Sequence, residues 1–408
     1  MSDAQFRPRL RPHFSVAPGA SADSGMVTIH DLLRISQPIQ VSPAVIELMK
    51  LFDGQRTVDD IRSAFAQRQG GQLVELPVIL QLVQYLEQAM ILDGPTLRAK
   101  LDAPIREPSC IGTYPEEPEA IRQQLQHLFT APSGPGLPAV AGSRANEGRR
   151  LRAVLVPHMD YRRGNITYGW GFRELFERTT ARLFVIIATS HYSGAPFTLS
   201  KQHFRTPLGV AETDQNFVNK LEAHYGPGLY DDREAHVPEH SIELEVLLLQ
   251  YLYETVGAIR IVPLLVSSYA RHVNGGTDPA TAANITRMAE GLRLAEAAAG
   301  EPVCYIISGD LAHIGPKFDD PEPVNANQLA YSRAQDHKLL DKLTTADAAG
   351  YFQVIANEGD DRRICGLPPT HLTLLAACPT RGKILHYQQY IHPHGHESVS
   401  FASASFDS

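Results

Sequence analysis

The chain has 408 residues, a formal net charge of −8 at pH 7, 43% hydrophobic residues and 20% charged residues, which is an ordinary globular profile. This composition excludes collagenous, disordered and disulfide-rich proteins, and the length predicts two or three domains, or one large α/β domain with an appendage. The acidic balance disfavours nucleic acid as a partner, because affinity for a phosphate backbone comes from clustered Lys and Arg residues.

The cysteines and the hydrophobic pattern predict a cytoplasmic protein without membrane contact. The four cysteines, Cys110, Cys304, Cys365 and Cys378, form no CxxC pair, and no apolar signal led by Lys or Arg opens the chain. The richest apolar stretch, residues 242–259, contains three glutamates, so it is not the uninterrupted run of about 20 residues that a membrane span needs.

The first hundred residues predict an arm and a small domain. Residues 1–25 mix Arg, Pro, Ser, Ala and Gly without periodicity, which predicts a flexible arm or a segment that lies over the following one. Residues 26–100 are predicted to form a winged-helix-like α+β domain, because apolar residues recur at helical spacing in three short stretches. Segment 26–94 has five basic and eight acidic residues, a poor balance for reading DNA.

Two stretches of this domain, LFDGQRTVDDI (51–61) and LVQYLEQAMILDG (82–94), are similar to stretches of PqqD-like domains, which recognise peptides in peptide-modifying pathways. The resemblance implies that the domain recruits a peptide. The alternative is a helical module that only packs against the larger domain.

Residues 101–150 are predicted to be a connecting segment, and residues 131–149, rich in Pro, Gly, Ser and Ala, are predicted to be a linker or a long loop. From residue 151 to residue 408, strand-like runs alternate with helical ones. The predicted strands are Leu151–Val156, Leu183–Ala188, Ile259–Val266, Val303–Ile307 and Ile384–Tyr390, and the predicted helices cover 169–178, 215–224, 239–254, 280–298 and 325–343. This alternation predicts an α/β sandwich around a central, mainly parallel or mixed sheet.

Three predicted strands end at residues that can bind a metal. His158 follows the first strand, His191 follows the second, and Asp310 with His313 follows the fourth. In open α/β sheets, ligands bind in the crevice beyond the carboxyl ends of the strands, so we predict that these four side chains converge. The alternative for each histidine is an ordinary hydrogen-bonded core or surface residue.

The stretch AHVPEHSIELE holds a second candidate group, His236, Glu239 and His240, in the order H-x-x-E-H of the inverted zincin motif. Pro238 argues against a zincin site, because proline is tolerated in the first turn of a helix but not inside it. The helix is therefore predicted to begin at Pro238 or Glu239, with His236 before it. Glu239 and His240 have the alternative of capping or packing the helix start.

Two further tracts contain side chains that ligate metals. Cys365, preceded by Arg362 and Arg363 near a helix start, is predicted to have thiolate character and to be a metal ligand, the alternative being a small buried apolar residue. The tract HPHGH, with His392, His394 and His396, lies between two strand-like segments and is predicted to be a hairpin loop rather than a metal site.

Seven stretches of the large domain resemble the Memo family, known in bacteria and archaea as the B component of the AmmeMemoRadiSam system. They are VPHMDY (156–161), ATSHY (188–192), RTPLG (205–209), AHVPEHSIELE (235–245), SGDLAH (308–313), ICG (364–366) and ESVSFAS (397–403). The family is similar in fold to LigB-type extradiol dioxygenases, which implies an α/β sheet with a metal site at its strand ends.

The resemblance implies metal ligands at His158, His191 and Cys365, and further cleft residues at His240, Asp310 and His313. Two imidazoles and a thiolate suit iron or copper and also allow zinc. His240 or His313 is implied as an acid–base group, since imidazole titrates near neutral pH. The family commonly has Ala-Gly where this chain has Met159-Asp160, so Asp160 is predicted to repel anionic substrates or to add a hydrogen bond behind a ligand.

Family members are often encoded with an AMMECR1-like protein and a radical SAM enzyme, which the resemblance implies as partners in a modification pathway. Three functions stay open. They are a Memo-like metal-binding protein with redox or oxygen-linked chemistry, an extradiol-type non-haem iron dioxygenase, and a non-catalytic adaptor that binds a peptide or a partner protein.

Overall fold

The chain divides into two compact units, Met1–Ala103 (unit 1) and Pro104–Ser408 (unit 2). The computed structural model describes residues 5–18, 25–68, 70–71 and 73–408.

Unit 1 is a three-stranded antiparallel sheet followed by helices. The strands β1 (Phe14–Pro18), β2 (Val27–Asp31) and β3 (Ile39–Val41) pair in that order. The helices are α1 (Pro43–Met49), α2 (Val58–Arg68), α3 (Leu76–Gln88) and α4 (Pro95–Asp102). Prolines stand in the first turns of α1, α3 and α4, where a missing N–H breaks no helical hydrogen bond. The three predicted helices are confirmed, and the winged-helix likeness stays a prediction.

The described part of residues 1–25 lies against the segment that follows it, the second of the two alternatives, and does not form a flexible arm. β1 pairs with β2, and the buried Arg11 side chain forms a 2.6 Å ion pair with Asp31. This pair fixes the segment, because either group alone would be an uncompensated buried charge. Residues 1–4 and 19–24 lie outside the described residues.

Unit 2 is a mixed sheet with helices on both faces. Its strands are β4 (Ile105–Arg106), β5 (Leu151–Val156), β6 (Leu183–Thr189), β7 (Phe197–Leu199), β8 (His203–Thr206), β9 (Gly209–Thr213), β10 (Arg260–Val266), β11 (Val303–Ser308), β12 (His313–Ile314), β13 (Arg381–Ile391) and β14 (Ser398–Asp407). Its helices are α5 (Pro118–Thr130), α6 (Tyr161–Gly164), α7 (Ile166–Arg178), α8 (Gln215–Tyr225), α9 (His240–Tyr253), α10 (Ala270–Gly275), α11 (Ala283–Ala297), α12 (Ala326–Thr344), α13 (Ala348–Asn357) and α14 (Leu367–Ala377).

Four parallel strands, in the order β5-β11-β6-β10, form the centre of the sheet. β14 runs antiparallel beside β5 and pairs with β12 and β13, while β9, β8 and β4 continue the sheet beyond β10. The central strands are buried on both faces, which explains near-continuous apolar runs such as LFVIIAT in β6. The predicted mixed sheet and all five predicted strands of the large domain are confirmed.

Alternate strand residues pack into two cores. Val154 and Phe184 face a core with α5, α7 and α9, whereas Leu155 and Val185 face a core with α8 and α11 to α14. The carboxyl ends of β5, β11 and β6 meet at one edge of the sheet between these helical layers. Within the described residues, no helix is long and apolar enough to cross a membrane.

The predicted connecting segment 101–150 is corrected, because most of it is built into unit 2. α5 presents Ile121 and Leu125 to the core, and both are fully buried. The Pro- and Gly-rich stretch after α5 is a surface loop tied to α7, since the Gly142 N–H donates to the Phe176 carbonyl at 2.8 Å. Of the two alternatives for this stretch, a linker or a long loop, the structure has the loop, and it lies within unit 2.

Candidate metal centre

Three histidines from different elements form one group of candidate ligands. His158 follows β5, His191 follows β6 and His240 is the first residue of α9. One ring nitrogen of each lies within 4.8 Å of the other two, and the ring centroids are 4.7 to 5.4 Å apart. His158 is buried, whereas the side chains of His191 and His240 are 33% and 34% exposed. The group therefore has an open side.

A second group, His158, Asp310 and Cys365, lies deeper. His158 Nε2 is 3.3 Å from the Cys365 Sγ and 3.6 Å from an Asp310 carboxylate oxygen, and the other Asp310 oxygen accepts the His158 backbone N–H at 3.1 Å. Two glycines allow this approach. A Cβ at Gly366 would stand 2.5 Å from the Asp310 carbonyl oxygen, and one at Gly309 would stand 2.6 Å from the Gly366 Cα.

His158 belongs to both groups. The three predicted ligands, His158, His191 and Cys365, therefore do not all lie in one group. His191 falls in the first group and Cys365 in the second. His240 and Asp310, predicted as acid–base and cleft residues, lie among the candidate ligands themselves. The site thus offers five donor side chains centred on His158.

Hydrogen bonds to the far side of each imidazole leave the metal-binding nitrogen available. The Ser308 hydroxyl donates to the Ser241 carbonyl at 2.6 Å, so at 3.4 Å it accepts from the His158 Nδ1–H. A single Glu239 oxygen accepts Nδ1–H from His191 at 3.0 Å and is 3.2 Å from the His240 Nδ1. In each ring Nε2 keeps the lone pair, as in carboxylate–histidine–metal arrangements. The donor set therefore fits a transition metal.

Glu239 also caps α9, so the helix begins at His240, just after the predicted start, and His236 lies before it as predicted. Its side chain accepts the backbone N–H groups of His240 and Ser241. Burial would raise the Glu239 pKa, but the charge and hydrogen bonds of His191 and His240 hold this pKa well below its usual range. Glu239 is thus an anion held between two imidazoles.

The charge states of the two groups differ. Burial lowers the His158 pKa well below 6.5, with the neighbouring imidazoles adding to the effect. Although burial opposes it, the Glu239 charge raises the His191 pKa. Burial raises the pKa of Asp310 from 3.8 to about 7. His158 is therefore neutral, and Asp310 can carry a proton near neutral pH.

The predicted thiolate character of Cys365 is wrong for the protein without a metal. Burial raises the pKa of its thiol well above 9.0, and the Asp310 charge adds to this. The flanking arginines serve other acids, since Arg362 pairs with Asp336 and Arg363 pairs with Asp320. Cys365 would lose its proton only on binding a metal.

His313 lies outside both groups. Its Nδ1 is 3.0 Å from the Leu311 carbonyl oxygen and 3.1 Å from the Arg363 carbonyl oxygen, so it donates to both and Nε2 keeps the lone pair. Burial lowers its pKa to about 4. Asp160 was predicted to add a hydrogen bond behind a ligand or to repel anionic substrates. Its carboxylate instead caps α6 and pairs with Arg163.

The other histidine motifs are structural. His236 ends a 3-10 helix (Arg233–His236) before α9 and bonds the Thr198 carbonyl at 3.1 Å, so the zincin arrangement does not form. The HPHGH tract joins β13 to β14, which confirms the hairpin loop.

Sequence reasoning missed Ser308 and Arg106, and it did not predict that Glu239 contacts the His191 ring. Ser308 ends β11 directly before Gly309 and Asp310, and that position was its one signal. Arg106 lies in the predicted connecting segment, although its side chain contacts the turn before α9. Contacts between residues more than 100 positions apart leave no local pattern.

The buried Glu245 provides a pH test of this packing. It is fully buried on α9, neither carboxyl oxygen has a hydrogen-bond partner among the described residues, and burial raises its pKa well above 4.5. The folded protein keeps this proton while the unfolded chain loses it above about pH 4.3, so the stability from this group is lost as pH rises. We expect Glu245→Gln to become more stable relative to the parent by about 1.4 kcal/mol per pH unit above that point, until the buried acid itself ionises. Urea unfolding at three pH values measures this, and a difference independent of pH would contradict a neutral buried acid.

The fold and the site define an α/β protein with a candidate transition-metal centre at the carboxyl ends of its parallel strands. Residues 106–405 match the family model described as Memo-like protein, so the chain belongs to this family. A MEMO1 family protein of Aquifex aeolicus is 26% identical over 392 residues, covering 93% of this chain and 95% of that protein. Another, from Methanopyrus kandleri, is 28% identical over 294 residues, covering 69% of this chain and 91% of that protein.

The extent of these matches agrees with the two units. The family match begins at residue 106, just after the boundary at Ala103. An alignment over 93% of the chain must include most of unit 1, so the Aquifex relative shares this unit in addition to the family core.

Proposed function

We propose that this protein binds a transition metal, with iron or copper preferred and zinc as the alternative, and uses it in redox or oxygen-linked chemistry. The observation that supports this proposal is the set of three imidazoles with occupied Nδ1 atoms beside the Asp310 carboxyl and the Cys365 thiol. When bound, such a metal supplies Lewis acidity, a redox change and an open position for water, dioxygen or substrate. His158 is the proposed ligand common to both groups, joined either by His191 and His240 or by Asp310 and Cys365.

His313 and Asp310 are proposed to move protons. The His313 Nδ1 donates to two carbonyls, so Nε2 carries the lone pair that would accept a proton, and the pKa of about 4 means that His313 would release this proton again readily. Asp310, with its pKa of about 7, holds a proton near neutral pH and can return it. Glu239 keeps His191 and His240 in one tautomer, and His240 serves as an acid–base group wherever it does not ligate.

An extradiol-type iron dioxygenase is the second candidate, and Asp310 favours it. Such enzymes bind iron through two histidines and one carboxylate. The Asp310 carboxylate lies 3.6 Å from the His158 Nε2, and this proximity supports the candidate. No ring cleavage of any catechol by the iron-loaded protein in air would exclude this candidate.

We also propose a cellular location and partners for this protein. We place the protein in the cytoplasm, supported by four cysteines that form no disulfide. An AMMECR1-like protein and a radical SAM enzyme are the proposed partners, and unit 1 is the proposed site of peptide recognition.

Metal analysis of protein purified anaerobically without a His tag tests the main proposal. We expect near-stoichiometric iron or copper by mass spectrometry, either as purified or after reconstitution. A folded protein that binds none of iron, copper and zinc would overturn the proposal and favour the non-catalytic adaptor.

A further inference from the structure

We infer that Arg106 is a positioning residue for the candidate metal centre, acting through the turn that carries Glu239. Only the expected change in metal affinity rests on the proposed function. Arg106 touches none of the five candidate ligand side chains, and it is the last residue of β4, near the start of unit 2.

Arg106 is buried against the end of the turn before α9. Its Nε donates to the His236 carbonyl at 2.6 Å, and its Nη2 donates to the Val237 carbonyl at 3.2 Å and the Glu239 carbonyl at 2.8 Å. The 3-10 helix ends at His236, so the His236 and Val237 carbonyls have no acceptor role within that helix. One guanidinium therefore fixes the backbone of the whole turn.

The other side of the guanidinium is anchored to α9 itself. Its Nη1 forms a 2.5 Å ion pair with Glu243, and both side chains are at most 2% exposed. Nη2 also donates to the Ser109 hydroxyl at 2.8 Å. Arg106 thus links the turn before α9 rigidly to the first helical turn of α9.

Glu239 sits between these two anchored parts, and the metal centre depends on its position. Its backbone carbonyl accepts from Arg106, while its carboxylate accepts Nδ1–H from His191 and lies beside the His240 Nδ1. A shift of the turn moves this carboxylate away from two imidazoles at once. Their rings would then lose the hydrogen bonds that select the Nδ1–H tautomer.

Arg106→Lys tests the inference, because an ammonium point charge cannot reproduce the fork that reaches three carbonyls and a carboxylate. The first readout needs no metal. It is the ¹⁵N spectrum of histidine-labelled protein at one alkaline pH, at which imidazoles are neutral, with His191 and His240 assigned from His191→Gln and His240→Gln. We expect one Nδ1–H tautomer for each in the parent and a mixture in the variant. The second readout is Co²⁺ affinity, expected to fall by about 10- to 100-fold.

Arg178→Lys is the matched control. Arg178 is also buried in unit 2, and it pairs with Glu174 and Asp407 away from the site. We expect it to lower stability while leaving the two histidine signals and the Co²⁺ affinity unchanged. If Arg106→Lys does not fold, Glu243→Gln is the second variant, and a smaller change of the same two signals is expected.

Unchanged tautomers of His191 and His240 in the folded variant would overturn the inference, whatever the metal result. Changed tautomers in a protein that binds no metal would uphold the role of Arg106 and reject the proposed function. The two ideas can therefore fail separately.

Discussion

His158→Ala is expected to abolish tight metal binding, because His158 is the one residue shared by both groups of candidate ligands. Loss of a hydrogen-bond partner behind a ligand typically costs about 10- to 100-fold in metal affinity, and loss of the ligand itself costs at least as much. We therefore expect the Co²⁺ affinity to fall by more than about 100-fold. Competition with a chromophoric chelator, on tag-free and anaerobic protein, measures the change.

Three other variants make this result interpretable. His240→Ala changes only the group of three histidines, and Cys365→Ser changes only the group of His158, Asp310 and Cys365. Each is therefore expected to weaken metal binding less than His158→Ala does. His394→Ala changes an exposed histidine in the hairpin loop and is expected to keep the parental affinity. A folded His158→Ala protein with parental affinity would place the metal elsewhere in the chain.

The scaffold of this site could be predicted from local pattern. Continuous apolar runs gave the strands β5, β6 and β11, and their ends carry His158, His191 and Asp310. Pro238 marked the start of α9, since proline fits only near the first turn of a helix. In both cases the deciding interaction lies within a few residues of the signal.

The fine structure of the site could not be predicted in this way. The state of the Cys365 thiol depends on burial and on Asp310, whereas its flanking arginines, the visible signal, pair with other acids. Glu239 looked like a helix cap, and its contact with His191 joins residues 48 positions apart. Distances of this kind follow from the packing of whole elements and not from any one segment.

Glu243→Ala is expected to destabilise the protein by about 3–5 kcal/mol, because it leaves the Arg106 guanidinium buried without its counter-charge. The Glu243 carboxylate also accepts the backbone N–H groups of Ser109 at 2.9 Å and Cys110 at 3.0 Å, and the Tyr114 hydroxyl. These donors would lose their acceptor in a place that water does not reach. Glu243→Gln keeps an acceptor but no charge, so an intermediate loss is expected.

Glu254→Ala provides the comparison that isolates burial. Glu254 follows the last residue of α9 and pairs with Arg122 at 2.6 Å, and the two side chains are 42% and 34% exposed. Exposed pairs of this kind contribute about 0–1 kcal/mol, since water and salt screen them. Denaturant unfolding of the full chain at constant pH measures both losses. We therefore expect the loss in the free energy of unfolding to be several-fold larger for Glu243→Ala than for Glu254→Ala. Equal losses would mean that the Arg106–Glu243 pair is solvated, and the rigid connection between β4 and α9 would no longer follow from its burial.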